Sequence, residues 1–103
     1  MSPKPLVSII IRTKNEERWI IPCFEALYGQ SYQNFEIVVV DNESSDKTLK
    51  KVSQFPIKKI ITVSDYLPGK ALNKGIEQAV GEYFVCLSAH CIPVGEQWLE
   101  TLV

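Results

Sequence analysis

The stretch LVSIIIR, Leu6 to Arg12, is β-branched and almost continuously apolar, with no alternation between a wet and a dry face. A strand of that kind is buried on both sides, as in a parallel sheet covered by helices. The polar run Thr13 to Arg18 follows it. A helical pattern comes next, in which Ile20, Cys23, Phe24 and Leu27 stand at i, i+3, i+4 and i+7. Pro22 is tolerated only in a first turn, so this helix is expected to start between Trp19 and Ile21, with Gly29 as its stop.

The same alternation continues outward. FEIVVV, Phe35 to Val40, reads as a second strand that ends at Asp41 and Asn42. Ser44 or Ser45 is expected to cap a short helix carrying Leu49 and Val52, with Asp46 near its positive end. Pro56 precedes a third strand, IKKIITV, whose Lys58 and Lys59 suit a sheet edge. Pro68 and Gly69 open a third helix with Leu72, Ile76, Ala79 and Val80 on one face, and Gly81 closes it. EYFVCL, Glu82 to Leu87, is the fourth strand. Pro93 breaks the next loop, and EQWLETLV begins a last helix. Trp19 and Trp98 are expected to pack rather than to present sugar platforms.

The order βαβαβαβα predicts a three-layer α/β/α domain with a parallel sheet and helices on both faces. Right-handed crossovers and the charged third strand favour the strand order 3-2-1-4. No repeat, linker or domain boundary interrupts residues 1–103, which are expected to form one domain.

Composition narrows the function classes. Of 103 residues, 46 % are hydrophobic and the net charge is -1. A packed core is expected, and there is no basic excess to suggest a nucleic-acid partner. The apolar run at the N-terminus covers only Leu6 to Ile11 and no small-residue cleavage site follows, so no signal peptide is read there. No stretch approaches the roughly 18 apolar residues of a membrane span. The cysteines are Cys23, Cys86 and Cys91, an odd and sparse set that fits a reducing cytoplasm. Cys86, His90 and Cys91 lack a second ligand pair at finger-like spacing, which argues against structural zinc.

In open α/β sheets, ligands bind at the carboxyl ends of the strands where the strand order reverses. Here that point lies between strands one and four. Three polar segments are expected to converge on it: Arg12-Thr13-Lys14-Asn15, Asp41-Asn42 and Ser88-Ala89-His90. The first turn contains neither G-x-G-x-x-G nor G-x-x-x-x-G-K-[ST], which disfavours dinucleotide oxidoreductases and P-loop nucleotidases. What remains is a nucleotide site built from side chains. Asp41 and Asn42 can bond a base or ribose, and Arg12 and Lys14 can meet phosphate or a base edge. Lys70 at a helix N-terminus is an unusual cation there and hints at a phosphate. Plainer roles stand beside these: Asp41 bracing a turn, Arg12 snorkelling over the sheet end, Lys14, Glu16 and Glu17 solvated, Asn73 a structural hydrogen-bonder, and His90 a surface residue.

VSIIIRTKNEE (7–17), FEIVVVDNESSD (35–46), GKALNKGIEQAVGEYFVCLSAHCIP (69–93) and WLETL (98–102) together resemble the N-terminal half of family 2 glycosyltransferases, which have the Rossmann-like GT-A fold. Three departures accompany the match. The family's Pro-Thr-Tyr-Asn-Glu is Arg12-Thr13-Lys14-Asn15-Glu16, so Lys14 stands where an aromatic commonly lies beside the base. Its Asp-Asp-Gly-Ser is Asp41-Asn42-Glu43-Ser44, so Asn42 replaces an Asp that commonly addresses uracil. Its metal-binding Asp-any-Asp is Ser88-Ala89-His90.

The resemblance implies transfer of a sugar from a nucleoside diphosphate, with a UDP-sugar the first expectation, to a glycan or lipid-linked acceptor hydroxyl, usually with inversion. It implies a divalent cation, Mn or Mg, for which His90 is the candidate ligand. A protonated His90 stabilising the leaving diphosphate without metal is the alternative. It also implies a nucleotide-sugar-binding half-domain, with the acceptor half and the general base expected beyond Val103. Bacterial surface polysaccharide synthesis, in the cytoplasm or at the inner membrane face, is the family context. An exposed fourth strand is expected to favour a homodimer. Two rivals remain: an inactive glycosyltransferase-like binding module, and a nucleotidyltransferase, which would favour a Gly-rich first loop with Arg and Lys that is absent here.

Overall fold

A computed structural model describes residues 4–64, 68–89 and 95–102, with the side chains of 68–72 outside that description. The elements are β1 (Val7–Thr13), α1 (Ile20–Tyr28), β2 (Phe35–Asp41), α2 (Thr48–Val52), β3 (Lys59–Thr62), α3 (Pro68–Gln78), β4 (Tyr83–Ser88) and α4 (Trp98–Leu102). One sheet has the order β3-β2-β1-β4, and its neighbours are parallel throughout. The order 3-2-1-4 and the α/β class are those read from the sequence.

β1 is central because both of its faces are apolar. Val7, Ile9 and Ile11 point with Ile37 and Val39 into one core, under Ile20, Cys23, Phe24 and Leu27 of α1. Val52 of α2 and Leu99 of α4 join the same cluster. Ile10 points the other way with Val38 and Val40, under Ile76 and Ala79 of α3 and its flank. This is the period-two alternation of a strand, with both sides dry. Helices therefore lie on both faces.

α3 approaches the sheet closely because Gly75 faces it. A Cβ at Gly75 would come within 2.5 Å of Ile10 Cγ2 and 3.0 Å of Val40 Cγ2. α4 is too short to hold itself in water. It is stapled to the end of α1 by the buried Gln30, whose Nε2 donates to Ala26 O at 3.0 Å and Gly95 O at 2.8 Å, while its Oε1 accepts from Leu99 N at 2.9 Å.

Several local expectations are corrected. α2 begins at Thr48 with Lys47 at its N-cap, and no side chain caps it there. Ser44 and Ser45 are engaged by Asp41 and Asn15 instead. β3 covers Lys59–Thr62 rather than the whole of Ile57 to Val63, although Lys58 N donates to Ile37 O at 2.9 Å and Val63 N to Asp41 O at 2.8 Å, extending the ladder at both ends. Trp19 is 43 % exposed, with the Arg18 guanidinium over its ring, so it does not pack into the core. Trp98 packs against the first cluster. Val80 is exposed rather than part of the α3 face. Leu72, Cys91 and Pro93 fall outside the described side chains.

Candidate functional site

The carboxyl ends of β1, β2 and β4 lie side by side. Thr13 is the register partner of Asp41, and Arg12 is the partner of both Val40 and Ser88. Two backbone bonds carry the pairing past the strands: Asn42 N donates to Thr13 O at 2.9 Å and Ala89 N to Arg12 O at 3.3 Å. The described residues of the three polar segments expected to converge thus lie at one end of the sheet; His90 lies outside that description.

Alternation then divides them. Thr13 and Asp41 fall on the face of the α1 and α2 core, whereas Arg12 and Ser88 fall on the face of α3. The half-buried Arg12 and Ser88 both have interaction partners in the structure.

Asp41 is fully buried and both its oxygens are engaged. Oδ1 accepts from Thr13 Oγ1 and, at 2.6 Å, from Ser44 Oγ; Oδ2 accepts from Ser44 N at 2.8 Å. A buried carboxylate needs such bonds, because an unpaired one would be prohibitively desolvated. Asp41 thus braces the turn after β2, the plainer of the two roles open to it in the sequence.

The β1–α1 and β2–α2 loops are laced together. Asn15 N donates to Ser44 Oγ at 2.9 Å, and Asn15 Oδ1 accepts from Ser45 N at 2.7 Å. Glu16 N donates to Thr48 Oγ1 at 2.8 Å and Glu17 N to Asp46 Oδ2 at 3.2 Å. Lys51 Nζ returns the favour by donating to Glu17 O at 2.9 Å. Asp46 also accepts from Thr48 N at 2.9 Å and from Thr48 Oγ1. Burial alone would raise the Asp46 carboxyl, but the bonds from Thr48 and Glu17 outweigh it and hold its pKa below the ordinary carboxylate value.

Two non-glycine residues in this lacework adopt left-handed backbone, Asn15 at φ 51° and Glu43 at φ 45°. Asn tolerates that region, whereas Glu is uncommon there. Glu43 stands at the glycine of the Asp-Asp-Gly-Ser pattern, which accounts for the geometry this turn demands. The exposed Lys14 reaches toward Glu43 O at 3.5 Å, the outer limit of a hydrogen bond. The half-buried Asn42 sits between the two braces.

His90 lies outside the described residues, as does the side chain of Lys70. Among the described residues no group of three or more His, Cys, Asp or Glu side chains is placed to hold a metal ion. Ser88 and Ala89 supply a hydroxyl and a methyl rather than carboxylates, and Asp41 is already engaged. The described residues by themselves do not fit a divalent cation. Among the described residues, too, no helix is long and apolar enough to cross a membrane.

The role of Asn15 as a cross-loop acceptor was invisible in sequence, because its partners lie about 30 positions away. Only the juxtaposition of two Asn/Ser/Asp-rich turns after adjacent strands could have signalled it.

Comparisons with known proteins agree with this geometry. The model of the family "Glycosyl transferase family 2" matches residues 8–103. The chain is 38 % identical over 95 residues to a dolichyl N-acetyl-alpha-D-glucosaminyl phosphate 3-beta-D-2,3-diacetamido-2,3-dideoxy-beta-D-glucuronosyltransferase of Methanococcus voltae, over 84 % of this chain and 30 % of that protein. Residues 1–349 of S. aureus TarS in complex with UDP-GlcNAc superpose with a TM-score of 0.82 at 27 % identity, over 93 % of this chain and 29 % of that one. The mannosyltransferase PcManGT from Pyrobaculum calidifontis, in complex with GDP-Man and Mn2+, superposes with a TM-score of 0.84 at 25 % identity, over 95 % of this chain and 33 % of that one. The chain thus spans a third or less of the length of these three proteins. With the strand order, the switch-point loops and the family match in agreement, the chain belongs to glycosyl transferase family 2.

Proposed function

We propose that residues 1–103 are the donor-binding part of an enzyme that transfers a sugar from a nucleoside diphosphate to an acceptor hydroxyl, with inversion. The observation that carries this reading is the pair of laced loops at the carboxyl ends of β1 and β2, beside the strand-order reversal between β1 and β4. That is where open α/β sheets take their ligands. Two similar structures are complexes of nucleotide sugars, UDP-GlcNAc in one and GDP-Man in the other, which supports the ligand class.

In this reading Asn42 addresses the base, since its amide offers both a donor and an acceptor. Lys14, Arg12 and Lys70 meet phosphate charge, Thr13, Asp41, Ser88 and Ala89 complete the site, and Asn15 ties its two loops together. Fixed cationic and polar groups of this kind stabilise the charge that develops on a leaving diphosphate. A UDP-sugar remains the first expectation. The acceptor, a glycan or lipid-linked sugar of surface polysaccharide synthesis, belongs to the same proposal. So does a cytoplasmic location.

A divalent cation at the diphosphate rests on His90 and on the Mn2+ in the mannosyltransferase complex. The described residues by themselves do not fit such an ion.

Titration calorimetry with UDP, GDP and CDP, with and without Mn2+, tests the reading. At least one is expected to bind, and Asp41→Ala to lose that binding through collapse of the turn. Affinity unchanged to within about twofold, some 0.4 kcal/mol, would remove Asp41 from the site. His90→Ala is expected to abolish any Mn2+-dependent gain; an undiminished gain would move the cation elsewhere.

A further inference from the structure

We infer that Asn15 is a positioning residue: it sets where the two laced loops hold Lys14 and Asn42, and does not itself contact the nucleotide. This inference rests on the donor-binding reading above.

The left-handed backbone at Asn15, φ 51°, turns its side chain away from the α1 helix and across to the β2–α2 loop. There Oδ1 accepts from Ser45 N at 2.7 Å, Ser45 Oγ at 3.3 Å and Asp46 N at 3.4 Å. A carbonyl oxygen has two lone pairs, so three donors saturate it and none is left for a ribose hydroxyl. The backbone of the same residue acts in concert. Asn15 N donates to Ser44 Oγ, which in turn donates to Asp41 Oδ1 at 2.6 Å. One residue therefore grips the stretch from Asp41 to Asp46 at both its buried and its exposed end. Asn42 and the strained Glu43 lie inside that grip, and Lys14 directly precedes it.

Neither loop contains regular secondary structure between Thr13 and Ile20 or between Asp41 and Thr48. Beyond the backbone bond from Asn42 N to Thr13 O, the bonds between the two loops all involve side chains. Removing the Asn15 acceptor releases Ser45 and Asp46 N, at the exposed end of the segment, while leaving the ladders, the Asp41–Ser44 bonds and both cores in place. The consequence is a site that binds more weakly within a fold that persists.

Two variants separate the side chain from the backbone. Asn15→Gly keeps the left-handed conformation and deletes the acceptor. Asn15→Asp keeps the acceptor. Each is titrated with whichever of UDP and GDP binds the unaltered chain, and with the corresponding uncharged nucleoside, so that an added carboxylate is distinguished from a lost bond. All titrations are made at a temperature where circular dichroism finds every protein folded.

Asn15→Gly is expected to raise Kd about tenfold for nucleotide and nucleoside alike. Its Ser45 and Asp46 amide protons should exchange faster, with those of β1 and β2 unchanged. Asn15→Asp is expected to bind the nucleoside within about threefold of the unaltered chain. If Asn15→Gly exchanges faster yet binds equally well, the latch does not position the site and the inference fails alone. If Asn15→Asp binds the nucleoside as weakly as Asn15→Gly does, the amide nitrogen touches the ligand and Asn15 is a direct contact. If the folded, unaltered chain binds neither nucleotide, the donor-binding reading fails and takes the inference with it.

Discussion

β1 and β4 pair along the same parallel ladder, from Val7 with Tyr83 to Arg12 with Ser88, yet they sit in opposite environments. Every residue of β1 is buried except the half-buried Arg12, whereas Tyr83 and Phe84 of β4 are 54 % and 45 % exposed. Ladder pairing places a strand; the helices laid across it decide whether its side chains are dry. α1 and α2 cover one face of the β1–β2 half, and α3 lies over β2, β1 and β3 on the other. Phe84 and Cys86 are left facing solvent. The closed half also carries the laced loops, so the proposed ligand contacts stand on the best-supported part of the molecule. Among the described residues β4 is an outer strand of the sheet, the kind of edge on which a further strand can pair.

The contrast is broken most directly by shortening one phenylalanine on each side. Phe24 is fully buried and meets Phe55 edge to face at 5.0 Å. Phe24→Ala is expected to cost about 3–5 kcal/mol, a large share of the stability of a domain this size. Phe84→Ser is expected to cost about 1 kcal/mol or less, because much of the ring is already wet. Urea midpoints measure both. Light scattering adds a second reading: if β4 mediates the expected homodimer, Phe84→Ser shifts it toward monomer and Phe24→Ala, where folded, does not. Equal losses of stability would mean that the two halves are equally closed.

This contrast also separates what the sequence disclosed from what it did not. The uninterrupted apolar run of β1 announced a strand dry on both sides, and the alternation of elements led to the parallel order 3-2-1-4. Both are properties of short windows. The start of α2 was misread because Ser44 and Ser45 look like caps in their own window. In the fold they answer to Asp41 and to Asn15, and the helix starts at Thr48 instead. Gly75 gave no local sign of its close approach to Ile10 and Val40. At the site, the segments were found but not their division between two faces, since the phase of each strand only becomes visible once the register is fixed. Trp19 looked like a packing residue by type alone, but it lies at the surface with the neighbouring Arg18 over its ring.

A smaller effect sharpens the picture of the laced loops. Glu43 holds φ 45°, a conformation that costs an L-residue about 1–2 kcal/mol. Glu43→Gly removes that strain but loosens the unfolded chain, which offsets part of the gain. A net stabilisation of about 0.5–1 kcal/mol is expected, read as a higher urea midpoint with an unchanged slope. Destabilisation would show that the Glu43 side chain, rather than its backbone, is what the loop needs.

The smallest expected effect is a pH dependence confined to the same loops. Asp46 has a carboxyl pKa below its ordinary value: burial pushes it up, and the bonds from Thr48 and Glu17 pull it further down. A group lowered in the folded state binds protons more readily when unfolded. Its contribution is therefore complete above the unfolded value, near about 3.9, and is lost as pH falls through the folded one. The Asp46 side chain is partly open to solvent, and screening keeps the contribution small. Urea midpoints of the unaltered chain and of Asp46→Asn, taken from neutral pH downward, should run parallel until about pH 4 and then converge. A gap that stays constant in acid would mean that the bonds to Thr48 and Glu17 draw nothing from the charge. Convergence would tie the acid sensitivity to the junction that Asn15 latches. Nucleotide affinity should then begin to fall in the same pH range while the far-ultraviolet dichroism of the sheet is still native, because the loops loosen before the ladders do.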